Sequence, residues 1–170
     1  DFSLSLEIEG SYAFVGTDLS GVQIVDIQNP AAPFRASSFE AVVTLPDVAP
    51  YGRYLYARDD YVSSLRVLVL DMGDGAVPAD PPTWVNTYVP SPGQANASGC
   101  CRGDLERQGD TLISLWDTWG LRTTGLGLPT DPQEGFAVDS PMPAMCLAAA
   151  GSSVYVGLDS GGLIVVQFPE

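Results

Sequence analysis

The sequence predicts an all-β protein made of many short strands that are joined by tight turns. Short runs of β-branched and aromatic residues alternate with Gly, Pro, Asp and Ser, and no apolar stripe follows the helical i, i+3, i+4, i+7 spacing. The 18 Gly and 14 Pro fall between apolar runs, and 45% of the 170 residues are hydrophobic. This composition supplies a packed core for one domain and argues against a disordered chain.

One motif is repeated four times: a Gly, a small or polar step, an apolar strand, and an Asp that ends it. The four copies are Gly10–Asp18, Gly52–Asp60, Gly109–Asp117 and Gly151–Asp159. The first and last intervals between these glycines are equal, and they fall in the range of about 40–45 residues that is typical of a propeller blade, which is one four-stranded antiparallel sheet. The middle interval is longer, as in an expanded copy. We therefore expect an all-β propeller of about four blade-like repeats in a single domain, over residues 1–41, 42–93, 94–141 and 142–170.

Each repeat is expected to hold four strands, which we call A to D from the innermost to the outermost. Strand B is the apolar run of the motif, and strand A precedes its Gly, as Phe2–Ile8 and Val42–Leu45 do in the first two repeats. The next apolar run predicts strand C at Val22–Asp26, Leu65–Asp71, Leu121–Leu126 and Leu163–Val166. A weaker run predicts strand D at Phe34–Phe39, Trp84–Val89 and Phe136–Val138.

The fourth repeat reaches Glu170 before any strand D. Residues 1–8 can supply either this outer strand or the first inner strand, but not both. Because an open sheet edge invites pairing, we expect a segment of a larger propeller that further blades complete, or a homo-oligomer. The chain also opens at Asp1 within apparent strand sequence and without a signal peptide, as expected of a mature or trimmed product.

The first copy has a specific likeness to a known repeat. Its strand Tyr12-Ala-Phe-Val-Gly-Thr-Asp18 is followed by Val22-Gln-Ile-Val-Asp26 and Asn29-Pro-Ala-Ala-Pro33, and this stretch resembles the LVIVD repeat. The fourth copy has Gln167 in place of the family's Asp, and the third has Thr123-Thr-Gly where an apolar strand is expected. The resemblance implies a propeller and an extracellular or cell-surface location, since the family occurs largely in secreted or surface proteins of unassigned function.

The charge of the chain limits what it can bind. The net charge of −14 comes from 21 acidic residues against only seven basic ones, and the sequence contains no His. Such a surface repels a polyanion, so nucleic-acid binding is not expected. A Ser-His-Asp triad is excluded, and the commonest general base is missing. No apolar run approaches the ~20 residues of a membrane-spanning helix.

The candidate ligand-binding residues lie in the turns between strands B and C, which share one face of a propeller. They are Asp18, Asp60, Asp117, Asp159, Trp116 and Trp119. Each carboxylate can cap its turn, or the four can form a ring that binds a partner or calcium through oxygen atoms. The indoles can stack on a sugar or form a protein contact, or pack within the sheets. The polar segment 90–99 is expected on the same face.

The sequence therefore predicts a non-catalytic scaffold that binds a protein or a glycan through this face and needs no cofactor. One alternative is a glycosidase or lyase that uses inner-strand carboxylates, namely Glu7, Asp47, Asp104 and Glu106. Another alternative is a structural module that calcium stabilises. The three cysteines, Cys100, Cys101 and Cys146, permit one disulfide with a leftover thiol or three reduced thiols.

Overall fold

The computed structural model describes residues 2–41, 44–59, 66–74, 77–89, 103–116, 120–128, 131–140 and 142–168. These residues form β-strands and no helix, so none of them lies in a helix that could span a membrane. The strands are β1 (Ser3–Glu9), β2 (Tyr12–Thr17), β3 (Val22–Asp26), β4 (Phe34–Phe39), β5 (Asp47–Tyr51), β6 (Tyr54–Asp59), β7 (Arg66–Asp71), β8 (Thr83–Tyr88), β9 (Gly103–Gln108), β10 (Thr111–Trp116), β11 (Gly120–Gly125), β12 (Gln133–Val138), β13 (Ala144–Ala150), β14 (Ser153–Leu158) and β15 (Gly162–Gln167).

The strands form four antiparallel sheets in chain order: β1–β4, β5–β8, β9–β12 and β13–β15. Each sheet is one blade-like repeat, so the predicted all-β propeller fold is confirmed. The fourth sheet has three strands among the described residues, and β1 is the inner strand of the first sheet. Residues 3–9 therefore serve as the first inner strand rather than as an outer strand of the fourth sheet.

The repeated Gly of the motif has a conformational reason. Gly10, Gly52, Gly109 and Gly151 each begin the two-residue turn between strands A and B, and their φ angles are 60°, 58°, 57° and 59°. A positive φ at the first turn position costs Gly little, and it matches the twist of the two strands that the turn joins. The four glycines therefore fix the same hairpin in every sheet.

One predicted strand was misplaced. The inner strand of the second sheet is Asp47–Tyr51 rather than Val42–Leu45. Residues 42 and 43 lie outside the described residues, and Leu45 is instead a buried core residue whose N–H donates to Thr17 O at 3.0 Å. Pro50 is tolerated within the strand because β5 lies at the edge of its sheet, where one side makes no ladder hydrogen bonds.

The chain divides into two compact units, each with two of the sheets. Unit 1 comprises residues 1–95 and 129–131, and unit 2 comprises residues 96–128 and 132–170. In unit 1, Phe14 and Ile24 of the first sheet pack in one buried cluster with Leu55 and Leu70 of the second. In unit 2, the corresponding cluster joins the third sheet to the fourth through Ile113, Leu115, Leu121, Leu147, Val154 and Val156.

Candidate functional site

Two of the predicted turn aspartates are described, and both attach a B–C turn to the start of an inner strand. Asp18 N donates to Phe2 O at 3.2 Å, and Asp18 Oδ1 accepts from Phe2 N at 2.8 Å. Asp159 N donates to Pro143 O at 3.0 Å. The Asp18 carboxylate thus binds the start of an inner strand, whereas Asp159 reaches its inner strand through its backbone N–H. Asp60, Asp117, Trp119 and the segment 90–99 lie outside the described residues.

Trp116 is buried, with 1% of its surface exposed, and its Nε1 donates to Ser114 Oγ at 2.8 Å. The indole has no face open to a ligand, which fits the packing interpretation rather than sugar stacking. Cys146 is an exposed free thiol. Within the described residues, no group of three His, Cys, Asp or Glu side chains is arranged to hold a metal ion.

Two of the inner-strand carboxylates bind backbone amides of the neighbouring sheet. Asp104 Oδ2 accepts from Leu147 N at 2.9 Å, and Glu106 Oε2 accepts from Ala149 N at 2.8 Å. These bonds join strand β9 to strand β13 within unit 2. Asp47 is buried and accepts from Val48 N at 3.1 Å, whereas Glu7 is exposed on β1. The carboxylates of Asp104 and Glu106 therefore act as fixed links between blades.

The structure has concave sites at the opposite end of the strands, beside the A–B turns. In unit 2, a cleft of about 520 Å³ lies between the third and fourth sheets, and we call it the second cleft. It is lined by Gln108, Thr111, Thr123, Gly135, Phe136, Gly151, Ser152 and Phe168. In unit 1, the first cleft has about 310 Å³ and is lined by Glu9, Gly10, Ser11, Tyr12, Phe14, Gly52, Arg53, Met72, Gly73 and Pro78.

The two clefts occupy equivalent positions in the repeat. Each of three residues of the first cleft has a counterpart two repeats further along the chain in the second cleft. The counterparts are Gln108 for Glu9, Thr111 for Tyr12 and Ser152 for Arg53. The backbone confirms this equivalence, since Met72 N donates to Arg53 O at 2.7 Å and Phe168 N donates to Ser152 O at 2.7 Å. The second cleft is larger, and two small hydroxyl side chains stand there in place of a phenol and a guanidinium.

The first cleft is also the charged one. Arg53 Nε donates to Asp71 Oδ1 at 2.9 Å, and a second nitrogen forms an ion pair with Asp74. The hydrogen bond from Arg53 holds the pKa of Asp71 below its usual range, and the same bond raises the pKa of Arg53. Arg53 also lies over the Tyr54 ring, 5.4 Å from its centroid.

The second cleft has a wall made of two aromatic rings. Phe136 and Phe168 meet edge to face, with centroids 5.4 Å apart and ring planes at 76°. Phe136 is held by a bulge in the β11–β12 ladder, where Thr123 Oγ1 accepts from Phe136 N at 2.9 Å. Gly135 permits this approach, because a Cβ at that position would lie 2.3 Å from Thr123 Oγ1.

The opposite side of the second cleft is polar. Gln108 Nε2 donates to Gly151 O at 2.6 Å, so this side chain bridges the two sheets and is fixed in place. The hydroxyl side chains of Thr111 and Ser152 stand beside it. None of the described lining residues carries a charge. The cleft thus combines an apolar wall with hydroxyl and amide groups.

Neither cleft was predicted from the sequence, because the predicted site residues lie at the B–C turns. A comparison of equivalent positions in the first and third repeats, and in the second and fourth, would have indicated the second cleft. Directly after the A–B turn, the first repeat has Tyr12 and the third repeat has Thr111. Within the A–B turn, the second repeat has Arg53 and the fourth repeat has Ser152. Loss of bulk at two equivalent positions indicates a cleft that has been opened.

The fold is shared with two computationally designed proteins whose crystal structures are known. The chain matches Ika4 with a TM-score of 0.65 at 11% identity, covering 99% of this chain and 92% of that one. It matches Ika8 with a TM-score of 0.67 at 12% identity over 95% of this chain, but it spans only 44% of the Ika8 chain. Such low identities show the fold alone, and no curated protein sequence matches.

The four sheets and their topology define the protein as an all-β propeller. Residues 3–40 match the family model of the LVIVD repeat. The match covers the first sheet, where the sequence resemblance is closest, so the protein is a propeller whose first sheet is similar to the LVIVD repeat.

Proposed function

We propose that the protein is a non-catalytic binding module whose second cleft binds a neutral glycan. The observation that carries this proposal is the lining of the cleft: two aromatic rings, an amide and three hydroxyl side chains, and no charged group among the described residues. In a chain of net charge −14, an uncharged cleft favours an uncharged ligand.

A sugar ring has the chemistry that this lining recognises. Its C–H faces are apolar and pack against aromatic side chains, while its hydroxyl groups exchange hydrogen bonds with hydroxyls and amides. The volume of about 520 Å³ lies within the range of small-molecule sites. The fixed amide of Gln108 and the bulge that holds Phe136 mean that little ordering is needed on binding.

Binding is better supported than hydrolysis. A glycosidase requires two carboxyl groups about 5 to 10 Å apart at the scissile bond. The described lining of the second cleft includes no carboxylate, and Asp104 and Glu106 each accept a backbone N–H of the fourth sheet. An extracellular or cell-surface location, which the LVIVD resemblance implies, would present the cleft to glycans.

Calorimetric titration with a panel of neutral and acidic oligosaccharides tests the proposal. We expect at least one neutral glycan to bind, and the double variant Thr111→Tyr/Ser152→Arg to weaken it by about tenfold or more, because it refills the cleft. The matched control is Thr83→Tyr/Ser11→Arg, the same two substitutions outside the second cleft. A folded protein that binds no glycan of the panel, or a glycan that binds the refilled variant equally well, would overturn the proposal.

A further inference from the structure

Two apolar sheet faces are exposed at the two ends of the series of sheets. The first sheet exposes one face that includes Leu4, Leu6, Ile8, Val15 and Val25, which we call the leading face. The fourth sheet exposes the trailing face, which includes Cys146, Ala148, Tyr155, Leu163 and Val165. Leu6 is 58% exposed and Leu163 is 63% exposed, and alternating exposed apolar positions of this kind mark an interaction surface.

The trailing face repeats a face that is already buried in unit 2. Ile113 and Leu121 of the third sheet pack against the fourth sheet in one buried cluster. Tyr155 and Leu163 stand at the equivalent positions one repeat further along the chain. The register is also the same, since Leu121 pairs with Leu115 in the third sheet and Leu163 pairs with Gly157 in the fourth. The trailing face is therefore the surface on which another blade would pack.

The leading face repeats the opposite member of such a contact in unit 1. Val48 and Ala57 of the second sheet belong to the buried cluster that packs against the first sheet. Leu6 and Val15 stand at the equivalent positions one repeat earlier, and they pair with each other as Val48 pairs with Ala57. Each end face thus has the register of one half of a blade–blade contact.

The two faces are mostly apolar, although the chain has 21 acidic residues. The leading face carries the charged residue Arg35, which pairs with Val25 in the β3–β4 ladder. At the inner strand of the trailing face, Cys146 and Ala148 occupy the positions that Asp104 and Glu106 hold in the third sheet. A contact made by the trailing face would therefore depend on apolar packing rather than on carboxylate links.

We propose that the trailing face of one copy packs on the leading face of a second copy, in the manner of neighbouring blades. A second copy of the chain can cover each exposed face in the correct register, because the trailing face of one copy matches the leading face of the other as two neighbouring blades match. The contact is heterologous, and in its closed form each of two copies uses both faces. Since each copy carries a charge of −14, added salt strengthens the contact by screening the repulsion.

A designed cross-link tests the contact directly. Asp104 lies beside Leu147 in unit 2, so the equivalent residue Cys146 is expected beside Leu6 of the second copy. In a Cys100→Ser/Cys101→Ser background, Leu6→Cys is expected to form a disulfide with Cys146 of the other copy when oxidised glutathione is added. A disulfide-linked dimer on a non-reducing gel supports the proposal, and Gln28→Cys, which is exposed outside both faces, serves as the matched control.

Light scattering after size exclusion gives the independent readout. The unmodified protein is expected at about twice its 17.9 kDa chain mass, and Leu163→Arg is expected to halve that mass while Leu128→Arg, on another exposed leucine, leaves it unchanged. Thermal melts establish that each variant is folded. A 17.9 kDa particle, a cross-link within one chain, or an open series of higher polymers would each overturn the closed dimer.

Discussion

Glu106 Oε2 in the inner strand of the third sheet accepts a hydrogen bond of 2.8 Å from the backbone N–H of Ala149 in the inner strand of the fourth. Asp104 does the same for Leu147. Inner strands lie at sheet edges, where every second backbone amide points away from its own sheet. The two carboxylates therefore satisfy edge amides and fix the spacing of two blades within unit 2.

Removal of one of these links is expected to destabilise the protein. Glu106→Ala should lower the free energy of unfolding by about 1–2 kcal/mol, because the partly buried amide of Ala149 loses a charged acceptor. Urea denaturation measures the change. Glu40→Ala, at an exposed position after β4, is the matched control and should stay within about 0.5 kcal/mol of the parent. Equal losses in the two variants would contradict the role of Glu106.

Two glycines of the third sheet should differ sharply in their tolerance of alanine. Gly109 has a φ of +57° with open space around it, so Gly109→Ala should cost about 1–2 kcal/mol of backbone strain. Gly120 has a φ of +74°, and a Cβ there would lie 2.2 Å from Val138 O. Gly120→Ala should therefore cost about 1–3 kcal/mol more in denaturant unfolding, and similar values for both variants would contradict the close approach.

The ion pair of the first cleft is expected to make stability depend on pH in the acid range. Because the pKa of Asp71 is lowered in the folded state, its ionised form adds stability above the ordinary aspartate pKa of about 3.9. That contribution is lost as the pH falls through the lower folded pKa. Asp71→Asn should therefore melt at a lower temperature than the parent at pH 7, and the difference should fade below about pH 3.9. A difference that is independent of pH would contradict the pairing with Arg53.

The aromatic wall of the second cleft should contribute to affinity rather than only to stability. Phe136→Leu keeps an apolar side chain but removes the ring, and it should weaken a bound neutral glycan by about 2- to 10-fold. Titration calorimetry measures this change. Phe34→Leu, an exposed phenylalanine of the first sheet, should leave the affinity unaltered. Loss of affinity in both variants would point to an indirect effect.

Much of the fold was predictable because the repeat has a local cause. The glycine that begins each A–B turn and the apolar run after it fixed the position of strands B and C, and strand Val22–Asp26 lies where the sequence predicts. Strand D at Phe34–Phe39 is also as predicted. The third repeat still forms strand Gly120–Gly125 although Thr123 and Thr124 replace apolar residues there, because threonine is β-branched and favours strands.

The remaining features depend on contacts between distant residues. The inner strand Asp47–Tyr51 was misplaced because its Pro50 argues against a strand, unless the strand is known to lie at a sheet edge. The second cleft arises where Gln108, Phe136 and Ser152 meet from three separate segments. The sequence of a single repeat does not indicate the cleft, whereas a comparison of equivalent positions in different repeats does indicate it.

The most direct test of glycan binding is the pattern of backbone amide shifts in a two-dimensional NMR titration with a neutral oligosaccharide that binds in the calorimetric panel. The shifts are expected to concentrate at Thr111, Phe136 and Ser152, while the signals of Tyr12 and Arg53 in the equivalent first cleft stay in place. Shifts centred on the B–C turns at Asp18 and Asp159, with the second cleft unaffected, would contradict it.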